Sequence, residues 1–375
     1  MTKTWTSLSN KLHIEAKAKK LPLSGTFELT ARCNQKCKMC YVCRPVNDSL
    51  AISKERSASD WINLAEEARD AGMLYLLLTG GEIFLREDFQ EIYENITKLG
   101  LVVQLYTNAT LITPKIAKWL SRIPPSKVCI TLYGASSYTY ERVCGYSQGY
   151  ERTVNGIDSL LSEGINVDVR TTVVRGNIND FAKICEFTEK RNIHFGVVNY
   201  ISPRREGSYS DPEGERLSPE ELAEYEQLVY DYQIKRNKIW EVDSVIDESI
   251  NQLVNNKNSA SIEIDEGPFR CYAGKCGFWV TWDGKMTPCG LMNRPKVDPF
   301  EIGFSPAWEE LKKQCFEIPV CEPCLKCDLK DNCNRCPARL FTETGRFDIP
   351  GEYLCKSAQM RIDFNEKLKL SKSIL

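Results

Sequence analysis

Histidine is almost missing from this chain: His13 and His194 are the only two among 375 residues. Chemistry that needs several imidazoles, as metal ligands or as acid–base pairs, has little to be built from. Long apolar runs are missing too. The longest, such as LYLLL at 74–78, fall far short of the ~20 residues that cross a bilayer, so no membrane partner is expected. The opening MTKTWTSLSNKLHIEAKAKK has no apolar stretch of the secretory kind, which makes the cytoplasm the expected location. An excess of one charge is also absent. With 49 basic and 51 acidic residues the net charge is −2, and no nucleic acid partner is expected. What remains is an ordinary globular composition, 42% hydrophobic and 27% charged, which excludes wholesale disorder.

Strand and helix patterns alternate from about residue 25 to 200. Strands are expected at 25–30 (GTFELT), 74–79 (LYLLLT), 101–107 (LVVQLYT), 127–133 (KVCITLY), 166–174 (NVDVRTTVV) and 194–199 (HFGVVN). Helices are expected between them at 58–71, 89–99, 114–123, 150–163 and 180–190. In the first of these, Trp61, Leu64, Ala65 and Ala68 make the apolar face; in the second, Ile92, Tyr93 and Ile96. Such alternation implies a parallel sheet with helical crossovers. Six units make an α/β fold of the TIM type left unclosed, a partial (β/α)6 barrel; an open doubly wound sheet is the alternative. In both, ligands belong at the C-terminal ends of the strands.

Residues 202–216 have the polar, Gly/Pro/Ser-rich composition of a loop, 219–236 the pattern of a helix, and 255–267 that of a linker. Beyond Cys271 periodicity is weak, although WDGK at 282–285 suits a hairpin turn. The expected division is an N-terminal extension (1–24), a barrel (25–240), a linker (241–270) and an irregular C-terminal domain (271–375) whose fold leans on metal.

Cysteine is what the chain has in plenty. There are 17, and ten of them fall after residue 270. Without a secretory signal, metal binding is the better explanation than disulfides. Cys33, Cys37 and Cys40 follow the first strand with the spacing C-x3-C-x2-C. Three thiolates on one loop can hold three irons of a [4Fe–4S] cluster and leave the fourth iron for another ligand. A structural zinc site, with Cys43 as fourth ligand, is the alternative. One strand later stands Thr79-Gly80-Gly81-Glu82. Two glycines allow backbone to approach a ligand closely, and a carboxylate can accept a hydrogen bond from a ligand ammonium.

Together these motifs resemble the radical S-adenosylmethionine (radical SAM) superfamily over about residues 25–200. The resemblance implies a cluster on Cys33, Cys37 and Cys40, with the methionine moiety of S-adenosylmethionine on the open iron and Gly80, Gly81 and Glu82 near its amino group. Cys43 is then a bystander or a thiol facing the substrate. Further cofactor contacts implied are Met39, at a position often aromatic in the family, Tyr41 beside the third cysteine, Asn108 in LYTNATL, Thr131 in ITLYG and Arg142 in YERVCG. Ala109 stands where the family often has glycine, and each of these lesser matches also suits a plain surface or turn residue. Cys129, Cys144 and Cys185 are expected to be packing residues, His194 structural and His13 solvated.

The C-terminal cysteines resemble the SPASM extension of radical SAM enzymes, with an x2 spacing between Cys333 and Cys336 where x3 is usual. That resemblance implies two auxiliary [4Fe–4S] clusters, three in all, one on Cys271, Cys276, Cys289 and Cys336 and one on Cys324, Cys327, Cys333 and Cys355. Cys315 and Cys321 are left over, and Cys321 can compete as a ligand because Cys321-x2-Cys324-x2-Cys327 suits a ferredoxin-like run. Two zinc knuckles are the alternative.

The family's activity is homolysis of S-adenosylmethionine and hydrogen abstraction by the 5′-deoxyadenosyl radical. The expected substrate is a ribosomally made precursor peptide that gains a carbon–carbon, ether or thioether cross-link. Expected partners are that peptide, a separate leader-binding protein, since 1–24 is short for a fused one, and a flavodoxin or ferredoxin as electron donor. Formylglycine formation in a sulfatase is a second expectation, weakened because the catalytic Asp of such maturases would follow Cys289, where Gly290 stands. Peptide epimerisation and a non-catalytic iron–sulfur scaffold complete the set.

Overall fold

Six aliphatic stretches become six consecutive parallel strands in the computed structural model, which describes residues 2–42, 44–202, 214–236, 241–242, 268–333 and 335–373. They are β1 (Ser24–Glu28), β2 (Tyr75–Thr79), β3 (Val102–Thr107), β4 (Lys127–Thr131), β5 (Val167–Thr172) and β6 (His194–Val198). Each lies beside the next, so that Leu78 pairs with Phe27 on one side and Leu105 on the other. Glu241–Val242 (β7) adds parallel to β6. From the cysteine-rich segment, Gly277–Val280 (β8) adds parallel to β1, and Met286–Thr287 (β9) returns antiparallel beside it. The order is β9-β8-β1-β2-β3-β4-β5-β6-β7, eight parallel strands and one antiparallel edge, the α/β partial barrel expected from the alternation.

The six expected helices form where the sequence periodicity places them, and Thr2–Lys19 adds a helix in the N-terminal extension, where none was expected. In α1 (Thr2–Lys19), α2 (Ala58–Asp70) and α3 (Phe89–Lys98), the second is started by a capping box between Ser57 and Asp60. It buries Ala58, Trp61, Leu64, Ala65 and Ala68, while α3 buries Phe89, Ile92, Tyr93 and Ile96. Then come α4 (Pro114–Leu120), α5 (Ser137–Cys144), α6 (Gly149–Ser162), α7 (Phe181–Lys190) and α8 (Pro219–Arg236). Helix α5 has no counterpart among the expected elements. It is short, capped by Ser136 at one end and by Gly145 in the left-handed region at the other.

The C-terminal segment is more regular than its sequence suggests. Residues 281–285 make the expected hairpin turn, with Thr281 N–H donating to Lys285 O and Gly284 N–H to Thr281 O, both at 2.8 Å. Three longer helices follow, α9 (Phe304–Phe316), α10 (Pro337–Thr344) and α11 (Glu352–Ser373), besides the four-residue helices Pro299–Ile302 and Glu322–Leu325. Helix α9 buries Phe304, Ala307, Trp308, Leu311 and Cys315, a helical spacing that the surrounding cysteine loops obscure. The segment is tied to the barrel by polar contacts as well as by β8. Phe304 N–H donates to Glu67 (2.7 Å), and the Trp308 indole donates to Lys20 O (3.1 Å). Arg361 pairs with Glu226 (2.6 Å), and Arg216 pairs with Glu343, which also accepts from the Tyr200 hydroxyl (2.6 Å). The 203–213 part of the expected loop, Cys43 and the 255–267 linker lie outside the described residues.

His13 is not solvated as expected. Its ring lies between Tyr75 and Tyr272, with centroids 5.2 and 4.8 Å away, and bonds Ser9 O and Ser24 Oγ. His194 opens β6 with Asp168 3.5 Å away, and Cys129 and Cys185 are buried packing residues.

Helix α6 supports the end of β3 at very short range. A methyl on Gly156 would stand 2.3 Å from the Ala109 carbonyl oxygen, and Thr153 Oγ1 donates to Asn108 O (3.0 Å). Helix propensity alone would favour alanine at 156 by about 1 kcal/mol. The collision reverses the sign: Gly156→Ala is expected to destabilise the protein by about 1–3 kcal/mol, read as a lowered urea midpoint under anaerobic conditions.

Candidate active site

The C-x3-C-x2-C loop begins where β1 ends, and the ends of neighbouring strands hold it. Leu29 N–H donates to Thr79 O, Gly81 N–H to Thr30 O and Glu82 N–H to Arg32 O, each at 2.8 Å. This ladder explains the two glycines. A Cβ on Gly80 would lie 2.3 Å from Thr30 O, and one on Gly81 would lie 2.2 Å from Arg32 O. The close approach expected toward a ligand is made toward the chain's own backbone, at the entrance to the cysteine loop.

Glu82 is fully buried. Its carboxylate accepts from the Thr107 hydroxyl (2.8 Å to either oxygen), Asn108 N–H (2.8 Å) and Phe84 N–H (3.1 Å). Burial pushes its pKa up, and these donors pull it back. The side chain thus joins the ends of β2 and β3, and a ligand ammonium would compete with donors already in place. Asn108 reaches the cysteine loop: its Nδ2 donates to Asn34 Oδ1 (2.9 Å) and lies 3.7 Å from Cys33 Sγ. Asn34 donates to Thr110 Oγ1 (2.8 Å), so the end of β3 is laced to the loop.

The other side of the loop rests on α5. Lys36 N–H donates to Cys144 O (2.7 Å) and Lys38 N–H to Val143 O (3.1 Å). Carbonyls that a helix C-terminus leaves without intrahelical partners are filled by the loop. Cys144, expected to be a packing residue, is buried, and the Cys37 thiol is its neighbour, with Tyr133 close by; the Cys37 Sγ itself donates to Gln35 Oε1 (3.5 Å). Neither Cys144 nor Tyr133 was identifiable from the sequence as a neighbour, because more than 90 residues separate each from Cys37. The neighbouring Cys144 thiol, then burial, raise the Cys37 pKa; burial is the main cause for Cys33. Thiols held protonated in this way ionise when a metal compensates the charge.

Met39 packs at the edge of the main core, and Tyr41 packs with Ala31, Val42, Ala51 and Trp282. Thr131 is half-buried at the end of β4. Arg142 is exposed on α5, with its Nε beside Gly176. Gly176 N–H donates to Glu215 (2.8 Å), and Glu215 also takes Lys38 (3.2 Å).

The C-terminal thiols fall into two neighbourhoods. Cys271 lies within electrostatic range of Cys336 and Cys315, and burial pushes Cys315 up to about 12. Cys276 is fully buried beside Ala16 and Leu23, its sulfur 3.9 Å from His13 O. Cys289 is half-buried against the main core. In the second neighbourhood are Cys321, Cys324, Cys327, Cys333 and Cys355. Among the described residues no disulfide forms, and no three His, Cys, Asp or Glu side chains enclose a single metal ion. What the chain supplies is donor chemistry suited to iron–sulfur clusters: sulfur-only groups whose atoms already accept backbone N–H bonds. Gln35 donates to Cys33, Leu329 to Cys327 and Arg339 to Cys336, each at 3.4 Å.

A three-thiol loop at the C-terminal strand ends of a partial barrel defines a class, the iron–sulfur enzymes that work on a ligand above the sheet. Residues 27–188 match the family model of the Radical SAM superfamily, and the chain is an enzyme with a radical SAM domain. The family implies S-adenosylmethionine and a [4Fe–4S] cluster. The chain is 28% identical over 334 residues to the AdoMet-dependent heme synthase of Methanosarcina barkeri, covering 86% of this chain and 93% of that protein. It is 24% identical over 301 residues to the sporulation killing factor maturation protein SkfB of Bacillus subtilis, covering 78% and 67%. Among solved structures, Streptococcus suis SuiB bound to its precursor peptide SuiA shares the fold with a TM-score of 0.70 at 19% identity, over 94% of this chain and 81% of that one. No helix among the described residues is long and apolar enough to cross a membrane.

Because the Gly81 methyl position is occupied by a backbone carbonyl, Gly81→Ala must pull the end of β2 away from the cysteine loop. Expected outcomes are a loss of about 2 kcal/mol or more and a fall in iron bound per chain, measured by denaturation and by iron assay after anaerobic reconstitution.

Proposed function

We propose that this enzyme modifies a ribosomally made precursor peptide, joining side chains through a carbon–carbon, ether or thioether bond. The observation that carries the reading is the likeness across nearly the whole chain to a protein solved with its precursor peptide, joined to similarity to a maturation protein. In this reading Cys33, Cys37 and Cys40 hold the cluster, and Met39, Tyr41, Gly80, Gly81, Glu82, Asn108, Thr131 and Arg142 surround S-adenosylmethionine. Once bound, the two supply a 5′-deoxyadenosyl radical that abstracts hydrogen from the substrate. The chain's own part is to fix the loop, shield it and orient the peptide. Arg142, exposed beside the loop, offers a bidentate fork to a carboxylate. Cys271, Cys276, Cys289 and Cys336 hold one auxiliary cluster, and Cys327, Cys333, Cys355 and Cys324, for whose place Cys321 competes, hold the other. A flavodoxin or ferredoxin supplies electrons, and a separate protein presents the leader of the peptide.

Formylglycine chemistry, the alternative, is disfavoured by the residue after Cys289. Gly290 stands where an Asp would be needed, and a Cβ there would lie 2.9 Å from the Trp279 ring. A second reading, action on a tetrapyrrole side chain, is favoured by the coverage of the heme synthase relative. One experiment separates them. The anaerobically reconstituted enzyme, given reductant and S-adenosylmethionine, is incubated with the peptide encoded beside its gene or with an iron porphyrin bearing propionates. Mass spectrometry is expected to find a peptide lighter by a hydrogen pair per cross-link, with 5′-deoxyadenosine released by the wild type and only background by Cys37→Ala. An unchanged peptide together with decarboxylated porphyrin overturns the peptide reading and installs the second.

A further inference from the structure

The second C-terminal neighbourhood holds five thiols, one more than a cluster with four protein ligands uses. The surplus is local. Cys321 and Cys324 Sγ are 3.0 Å apart in a hydrogen bond. Both are buried, packed with Leu340 and Leu354 and flanked by Cys333. The short helix Glu322–Leu325 explains the contact: Cys321 is its N-cap, and Cys324 N–H donates to Cys321 O (3.0 Å), which sets the two side chains one turn apart on one face. Cys327, Cys333 and Cys355 complete the group from the following loop and from α11.

Two sulfurs in hydrogen-bond contact cannot reach separate corners of a cubane from where they stand. When one ligates iron, the other is left beside it as an S–H donor. We propose that Cys321 and Cys324 together form a single, exchangeable ligand position, completed by Cys327, Cys333 and Cys355. This rests on the reading that the C-terminal segment holds an iron–sulfur cluster. Exchange breaks one Fe–S bond and makes another. The incoming thiol passes its proton to the outgoing thiolate, and no electron is gained or lost. The idle thiol donates S–H to the ligating sulfur, and a donor at a ligand sulfur raises the cluster's reduction potential. The apolar walls from Leu340 and Leu354 exclude water, which would otherwise compete for both roles.

The test is iron and sulfide content of the full-length protein after anaerobic reconstitution, with circular dichroism to confirm folding. Cys327→Ala is expected to lose one cluster, which tests the underlying reading; full iron in this variant would overturn that reading and the proposal with it. Cys321→Ala and Cys324→Ala are each expected to keep the wild-type iron content, while the double variant falls to the level of Cys327→Ala. Loss of a cluster in Cys324→Ala alone, with Cys327→Ala behaving as expected, would overturn the shared position and leave the cluster intact as an idea. EPR-monitored redox titration gives a second readout, independent of occupancy. Cys321→Ala is expected to shift one midpoint to a more negative potential, and an unmoved set of midpoints would also overturn the proposal.

Discussion

The structure depends on a backbone seam. Three N–H···O bonds of 2.8 Å join the end of β2 to the chain as it leaves β1, and two glycines make room for them. Each such bond contributes on the order of 1 kcal/mol net, so the seam is no large store of stability. Its importance is positional. Of the three cysteines that follow, only Cys33 lies in a regular element, the two-residue strand Arg32–Cys33 paired with Arg44–Pro45, and a loop of that kind is only as well placed as its anchors. Glu82 extends the seam sideways to β3, and Asn108 returns it to Asn34 and the Cys33 sulfur. Three strand ends thus converge on one loop through contacts that all belong to the protein.

The opposite side of the loop shows why α5 exists. Its sequence, SYTYERVC, is short, and aromatic and β-branched residues form helices weakly. Caps at both ends help, but the decisive partner is the cysteine loop, which fills the last carbonyls of the helix. Helix and loop therefore order each other. A single-sequence pattern does not reveal such an element, because its stabilising partner lies about 100 residues away.

This contrast marks how far the sequence could be followed. Elements set by a repeating pattern were legible: β1 to β6 and α2, α3 and α6 fall where periodicities of two and 3.6 residues put them. Residue types that announce their chemistry were legible too, since cysteine spacing survives without any fold. What stayed hidden was partnership. Glu82 was visible as a carboxylate but not as one already enclosed; Cys144 was visible as a buried thiol but not as the neighbour of Cys37. The C-terminal helices were missed for a different reason. The apolar face of α9 has a plain helical spacing, but it sits between cysteine loops whose composition dominates any window drawn across it.

The cysteine-rich segment is not an appendage. Strand β8 lies against β1, the strand that delivers the C-x3-C-x2-C loop, with Trp279 opposite Thr26 and the Trp279 indole bonded to Glu28 (2.8 Å). Glu28 also accepts Trp282 N–H (3.2 Å), and Trp282 packs with Tyr41, next to Cys40. A displacement of the C-terminal segment would therefore be felt at the first cysteine group through one strand pair and one buried carboxylate. At the far edge, Tyr200 just beyond β6 shares Glu343 of α10 with Arg216, and α10 begins at Cys336. The segment grips the sheet at both ends, and the thiols between those grips take their positions from the barrel as much as from any metal they bind.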